Sequence, residues 1–258
     1  MGWDITYHPV ADSEIRDLYF RALEDATLVE PLQQQFRIEP FYMEQLQERI
    51  DEARSISADV PFEKGHALYL AIVAGHLRRY HYLRGSALSF FIDDPVVARY
   101  FADWRQLVPP QWADAASGNH LRENYSGGVF ITHDRLKQMR ADYVGHNDLR
   151  ARLDELFSDG RLAVFWSVVD DAIGKGCGLL EASEVVEPNP MDLNASTSMS
   201  NLLNCAPDGA LLYAEAVAAQ LAQFMPETPD TDTDTDTDTD TAPAANTQKR
   251  WWERLFRR

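Results

Sequence analysis

Two cysteines in 258 residues, Cys177 and Cys205, are too few to frame the chain with disulfides, and with no CxxC pair they exclude a thiolate zinc site as well. Both are expected as reduced thiols. Long apolar runs are missing too: no stretch approaches the roughly 18 to 20 uninterrupted apolar residues of a helical membrane span. The opening MGWDITYHPV has neither a basic n-region nor an apolar h-region, so a cytoplasmic protein is expected. Positive charge is scarce. Lys plus Arg number 24 against 41 Asp plus Glu, a formal charge of −17, which repels nucleic acid and favours basic partners. The imbalance is not confined to one end, since positions 1 to 225 hold 33 acidic against 19 basic residues.

The motifs of catalysis are missing as well. There is no HExxH, and Gly85-Ser86 lacks the second glycine of a GxSxG elbow. Gly174-Lys175-Gly176-Cys177-Gly178 has neither a Walker spacing nor a strand leading at once into a capped helix, so it reads as a tight turn of small residues. His66, His76 and His81 are ten and five residues apart, which puts them on different faces of a helix, and His76 falls in an apolar stripe where a core histidine is expected. Nothing in their spacing brings His120, His133 and His146 together. The pairs Asp93-Asp94 and Asp170-Asp171 suggest a cation or an acid and base, but adjacent residues diverge on a helix and point to opposite faces of a strand. One member of each pair is therefore expected to cap or turn the chain. Arg78, Arg79 and Arg84 neighbour Tyr80 and Tyr82, yet on an acidic body they make no nucleic-acid face. No cofactor, metal or catalytic set is expected.

What is present is a core: 45% of residues are hydrophobic and 11% aromatic. From Gly65 to Leu83, helical spacing gathers Tyr69, Ile72, Val73, His76, Tyr80 and Leu83 into a bulky stripe, with Ala67, Ala71, Ala74 and Gly75 opposite. A helix with a small face predicts a second element packed closely on it near the centre of the fold. Around it the spacing predicts a strand over 3–7 closed by Pro9, a helix from Asp12 or Ser13 to Val29 stopped by Pro31, and a helix over 40–56 with Phe41, Leu46, Ile50 and Ala53 inward. Further on come a helix from Asp94 to Leu107, a loop over 111–128, a strand over 129–132 and helices over 134–143 and 148–157. Leu162 to Val169 reads as a central strand buried on both faces, Glu184 to Glu187 as extended, 188–200 as a loop and 210–224 as a last helix. The sum is helix-dominant α+β: one globular domain over 1–225 around a buried central helix with a small sheet.

At Pro226 the composition changes. Asp230 to Asp240 alternates strictly with Thr, too polar to bury and too repetitive to pack, so 226–248 is expected to be a disordered acidic linker. Residues 249–258 form a basic aromatic tip in which Trp251, Trp252, Leu255 and Phe256 share one helical face. Such a tip has three fates open to it: folding back on the acidic body, docking on a partner or an anionic membrane surface, or fraying. A ten-residue amphipathic helix holds a bilayer weakly by itself, so membrane contact needs anionic lipid or avidity.

Met1-Gly2-Trp3-Asp4-Ile5-Thr6-Tyr7-His8-Pro9, Glu63-Lys64-Gly65-His66-Ala67-Leu68-Tyr69-Leu70 and Gly178-Leu179-Leu180-Glu181-Ala182-Ser183-Glu184-Val185-Val186-Glu187 together resemble a group of proteobacterial immunity proteins paired with type VI secretion effectors, notably nuclease-type toxins. The resemblance spans most of 1–225 and not the tail. It implies a non-enzymatic, cytoplasmic protein that binds and neutralises a cognate toxin. Acidic residues at loop or strand ends are the expected contacts: Asp93, Asp94, Asp170, Asp171, Glu181, Glu184 and Glu187, with Trp251, Trp252, Leu255 and Phe256 as a further contact of the tail. Two rivals stand beside it. One is an adaptor or chaperone that loads an effector into a secretion apparatus; the other is a small-molecule enzyme built on His120, His133 or His146 with Cys177 or Asp170.

Overall fold

In the computed structural model the described residues are 3–57, 60–113 and 126–224. The linker and tip expected at 226–248 and 249–258, including Trp251, Trp252, Leu255 and Phe256, lie outside them, as does His120. The chain opens with strand β1, Ile5–Val10, every residue of which is buried. Pro9 does not close it. The strand β2, Tyr80–Tyr82, pairs with β1 only at Thr6 and Tyr7, so at Pro9 that side of β1 has no ladder for a missing N–H to break.

The helix expected from Asp12 to Val29 is broken into pieces: α1 (Asp12–Glu14), a π-helical turn over Ile15–Phe20, α2 (Arg21–Glu24) and a 3₁₀ turn over Ala26–Leu28. The wider π turn lets the consecutive residues Tyr19 and Phe20 both face the core, their rings edge to face at 5.0 Å. Pro31 starts a helix instead of stopping one, standing in the first turn of α3 (Glu30–Phe36). In α4 (Pro40–Arg54), Leu46, Ile50 and Ala53 are buried as the spacing predicts, but Phe41 is 62% exposed. Five residues before Leu46, it lies about 140° around the helix from the buried stripe.

The central helix α5 runs from His66 to Leu77 and not to Leu83, and ten of its twelve residues are buried. Its small face meets close neighbours: a methyl at Gly127 would overlap the Ala67 methyl, and one at Gly75 would strike Ser200. Beyond Leu77 the chain turns extended at Arg78, whose guanidinium bonds Glu14 at 2.5 and 2.6 Å, and aromatic Tyr80 and Tyr82 go into β2.

The expected helix from Asp94 to Leu107 is two short ones, α6 (Pro95–Ala98) and α7 (Trp104–Leu107), capped by Asp94 and Asp103, and Pro110 begins α8 (Pro110–Ala113). Strand β3 spans Gly127–Ile131, and helices α9 (His133–Gly145) and α10 (Asn147–Leu156) follow as anticipated. The predicted strand at Leu162 to Val169 is the helix α11, Arg161–Gly174. Val164, Phe165, Val168, Val169 and Ala172 are buried while Ala163, Ser167 and Asp170 are exposed, a period of 3.6 that the run of bulky residues disguises.

The strand in this half is β4, Gly178–Ser183, paired along its whole length with β1. After it come β5 (Val186–Glu187), β6 (Thr197–Ser198), β7 (Cys205–Ala206) and α12 (Pro207–Phe224). The main sheet has the order β3-β4-β1-β2-β7, antiparallel except for the β2–β7 pair, and β5 and β6 form a separate ribbon. The described fold is helix-dominant α+β with a small mixed sheet. Residues 1–217 form one compact unit; 218–258 form a second, of which the described part is the end of α12.

Two apolar clusters sandwich the sheet. Val10, Phe130, Leu180 and Ala182 join α3, α4 and α5 on one face, while Ile5, Tyr7, Val129, Ile131 and Leu179 join α9, α10 and α11 on the other. Among the described residues no helix is long and apolar enough to cross a membrane.

Candidate interaction surface

The seven carboxylates singled out from the sequence do not share a site. Asp94 caps α6, accepting from the Val96 N–H at 2.8 Å, and pairs with Arg152 of α10, while Asp93 beside it is exposed. Asp170 and Asp171 lie late on α11, where Asp170 bonds Arg140 at 2.9 Å and Asp171 bonds Lys175 at 2.6 Å. Glu184 and Glu187 lie past the far end of β4. The six residues of β4 separate these two groups by about 20 Å.

Glu181 is no surface contact at all. It is 1% exposed in the middle of β4, on the face that holds Tyr7, its partner across the ladder. The Ser89 N–H donates to both carboxyl oxygens at 3.3 Å, and the Tyr7 hydroxyl lies 3.1 Å from Oε2. That hydroxyl accepts from the Leu88 N–H at 3.1 Å and reaches the Ser86 carbonyl at 2.7 Å, so its one proton has a closer acceptor than Glu181. Burial with no cation beside it pushes the Glu181 carboxyl up to about 7. The Ser89 N–H and the Tyr7 hydroxyl hold the carboxyl on two sides. Gly128 makes room for it, since a methyl there would overlap Oε1. The carboxyl thus ties β4 to the turn Leu88–Phe91, whose next residue, Phe90, is 52% exposed.

The histidines are core groups. His8, His66, His76 and His81 are each at most 4% exposed, and burial lowers His8 to about 3 and the other three to about 4. His8 stacks on Tyr80 at 4.7 Å, and His76 Nδ1 lies 3.0 Å from the Ile72 carbonyl and 3.2 Å from Ser200 Oγ. His66 Nδ1 takes the Tyr19 hydroxyl at 2.9 Å beside a cavity of about 310 Å³ lined by Phe20, Leu23, Ala53, Arg54 and Trp112. The Trp112 ring lies 4.3 Å away, edge to face, and the other nitrogen is buried without a hydrogen-bond partner among the described residues. His133 opens α9 and His146 follows its end, about 20 Å apart, so those two do not converge. Among the described residues no three His, Cys, Asp or Glu gather as metal ligands. Cys177 is buried with its sulfur 3.0 Å from Arg78 Nη1, and burial raises its pKa. The glycines around it serve a turn, with Gly176 at φ 70° and no space for a side chain at Gly178 against Ile131 and Phe130.

The opposite end of the sheet gathers a second set of polar and aromatic groups among the described residues. Trp3 and Asp4 precede β1, Leu83 and Arg84 follow β2, and Glu184 follows β4 with its N–H on the Asp4 carbonyl at 2.9 Å. Asp4 pairs with Arg84 and takes the Tyr82 hydroxyl at 2.6 Å, and the Arg84 guanidinium lies 4.4 Å over the Tyr213 ring. Beside them opens a cleft of about 370 Å³ lined by Asp4, Arg84, Glu187, Asn189, Thr197 and Tyr213. Glu184 and Glu187 are exposed, and Glu184 holds φ at 64°. Trp3 meets Phe90 edge to face at 6.2 Å. Sequence reasoning named Glu184 and Glu187 here and missed Trp3, Asp4, Arg84, Phe90 and Tyr213. In the 3₁₀ turn Phe90 is left half exposed and Phe91 packs against the α11-side core. Comparison of the chain with protein families, curated proteins and solved structures finds no significant match in any of the three.

Proposed function

We propose that this chain is an immunity protein, which binds a cognate effector toxin of a type VI secretion system in the cytoplasm of the producing cell and neutralises it by protein–protein contact. The observation that carries the reading is the surplus of surface carboxylates left after ion pairing. The outer side of α4 alone shows Glu39, Glu44 and Glu48 next to Asp51 and Glu52, with Arg49 and Arg54 as the only cations on that helix. A protein of formal charge −17 draws basic partners by long-range attraction, and a nuclease is basic where it grips phosphate. The buried titratable groups meanwhile sit in packing contacts, which suits a binding protein whose chemistry is at its surface.

Co-expression with a candidate effector toxin from the same genome tests the reading. Survival of the host and co-purification of the two proteins are expected; continued killing without co-purification refutes it. Removing residues 226–258 separates the adaptor reading, because an adaptor that uses the tip as its handle loses function and an immunity protein keeps most of its own.

A further inference from the structure

Four core histidines, His8, His66, His76 and His81, keep a ring nitrogen without a hydrogen-bond partner among the described residues, and His66 among them lines a cavity. The Tyr19 hydroxyl lies 2.9 Å from His66 Nδ1, and its single proton has no other acceptor among the described residues. With Nδ1 accepting that proton, one group stays unmatched, the Nε2–H; the opposite tautomer leaves two, the Tyr19 proton and the Nε2 lone pair. His66, 4% exposed, therefore holds a buried N–H in need of an acceptor. The π turn over Ile15–Phe20 prepares the place: it brings Tyr19 to His66 and sets the next ring, Phe20, in the cavity wall.

We propose that this cavity is a binding site for a small neutral aromatic molecule with one hydrogen-bond acceptor, which packs against Phe20, Leu23 and Trp112 and accepts from His66 Nε2–H. The site is independent of the toxin-binding reading. An apolar cavity of about 150 Å³ is enough for benzene, so about 310 Å³ takes a ring with a short substituent. Two aromatic walls, Phe20 and Trp112 with centroids 5.9 Å apart, favour a ring between them. Both charges at the rim are engaged: the Arg54 guanidinium bonds the Ala22 and Leu23 carbonyls and Asp51, and Glu24 accepts from the Gln111 amide at 3.0 Å. A charged ligand would gain little from them and lose its hydration. An acceptor brought to Nε2, by contrast, removes the cost of a buried donor left unmatched. Because Nε2 is buried, the acceptor reaches it as the Trp112 ring, 4.3 Å from that of His66, gives way.

Titration calorimetry on the purified full chain with two probes decides the matter: acetophenone, a ring with a carbonyl, and ethylbenzene, of similar outline without an acceptor. Acetophenone is expected to bind at least about tenfold more tightly than ethylbenzene. H66F should erase that preference, and L23W, which fills the cavity from its half-buried wall, should weaken both probes by at least about tenfold. An unchanged melting curve shows that L23W keeps the fold. Should H66F fail to fold, the imidazole nitrogen resonances of His66 in the wild-type chain carry its arm of the test, and acetophenone is expected to shift Nε2 where ethylbenzene does not. No binding of acetophenone to the wild-type chain, equal affinity for the two probes, a preference that survives H66F, an unmoved Nε2 resonance, or affinities untouched by L23W each overturns the site.

Discussion

The two faces of the sheet bury different mixtures of titratable groups. On the face covered by α3, α4 and α5 lie His8, His66 and His76, kept neutral by burial. On the face covered by α9, α10 and α11, Tyr7 and Glu181 form the polar centre, with His81 opposite Tyr7 on the neighbouring strand. Acid acts on the buried histidines, His81 included, and on Glu181 in opposite directions. A buried histidine is protonated more readily in the unfolded chain, whereas a buried Glu181 is protonated more readily in the folded one.

The largest effect to look for is therefore acid unfolding. Each histidine held near 4 instead of 6.5 contributes stability that is full above pH 6.5 and lost as pH falls towards 4, up to about 3 kcal/mol apiece. Urea titrations at pH 7 and pH 5 should show a steep loss; equal midpoints would mean that these rings are charged in the fold. Glu181 runs the other way. With its carboxyl raised from 4.5 to about 7, its contribution is full below pH 4.5 and shrinks as pH rises through 7, by about 3 kcal/mol at most. The difference in stability between E181Q and wild type isolates it: E181Q should gain relative to wild type as pH rises from 4.5 to 7, and a constant difference breaks the assignment.

Packing gives a smaller contrast. G127V drives a branched side chain into Ala67 on the α5 face and should cost about 1 to 3 kcal/mol in chemical denaturation, a value that a silent result would contradict. At the surface of the other face, the exposed Arg140–Asp170 pair should matter least. R140A is expected to cost under about 1 kcal/mol, most of it from the guanidinium lying 4.5 Å over Trp166 and little of it sensitive to salt.

Much of the α5 face was legible. The small residues Ala67 and Gly75 do meet close neighbours, Gly127 and Ser200, because an apolar helix without a charged side must be covered all round. The other face was not. Leu162 to Val169 is bulky and β-branched enough to pass for a strand, and its exposed positions, Ala163 and Ser167, are too small and mild to mark the helical period. The real strand, Gly178–Ser183, hides behind a carboxylate in its middle that reads as a surface residue. The same error put Glu181 among the contacts: whether a glutamate faces water depends on Tyr7 and Ser89, which are 174 and 92 residues away along the chain. Asp94 as a cap was readable locally, since a cap needs only its own next residues.

Strand β1 has a consequence for how the chain is made. It occupies residues 5–10, yet its longest ladder is with 178–183. At a synthesis rate of about 5 to 20 residues per second, that first strand waits on the order of ten to thirty seconds for its principal neighbour. During that interval β1 has only β2 to pair with, at Thr6 and Tyr7, and a product truncated before Gly178 leaves its other side unpaired permanently.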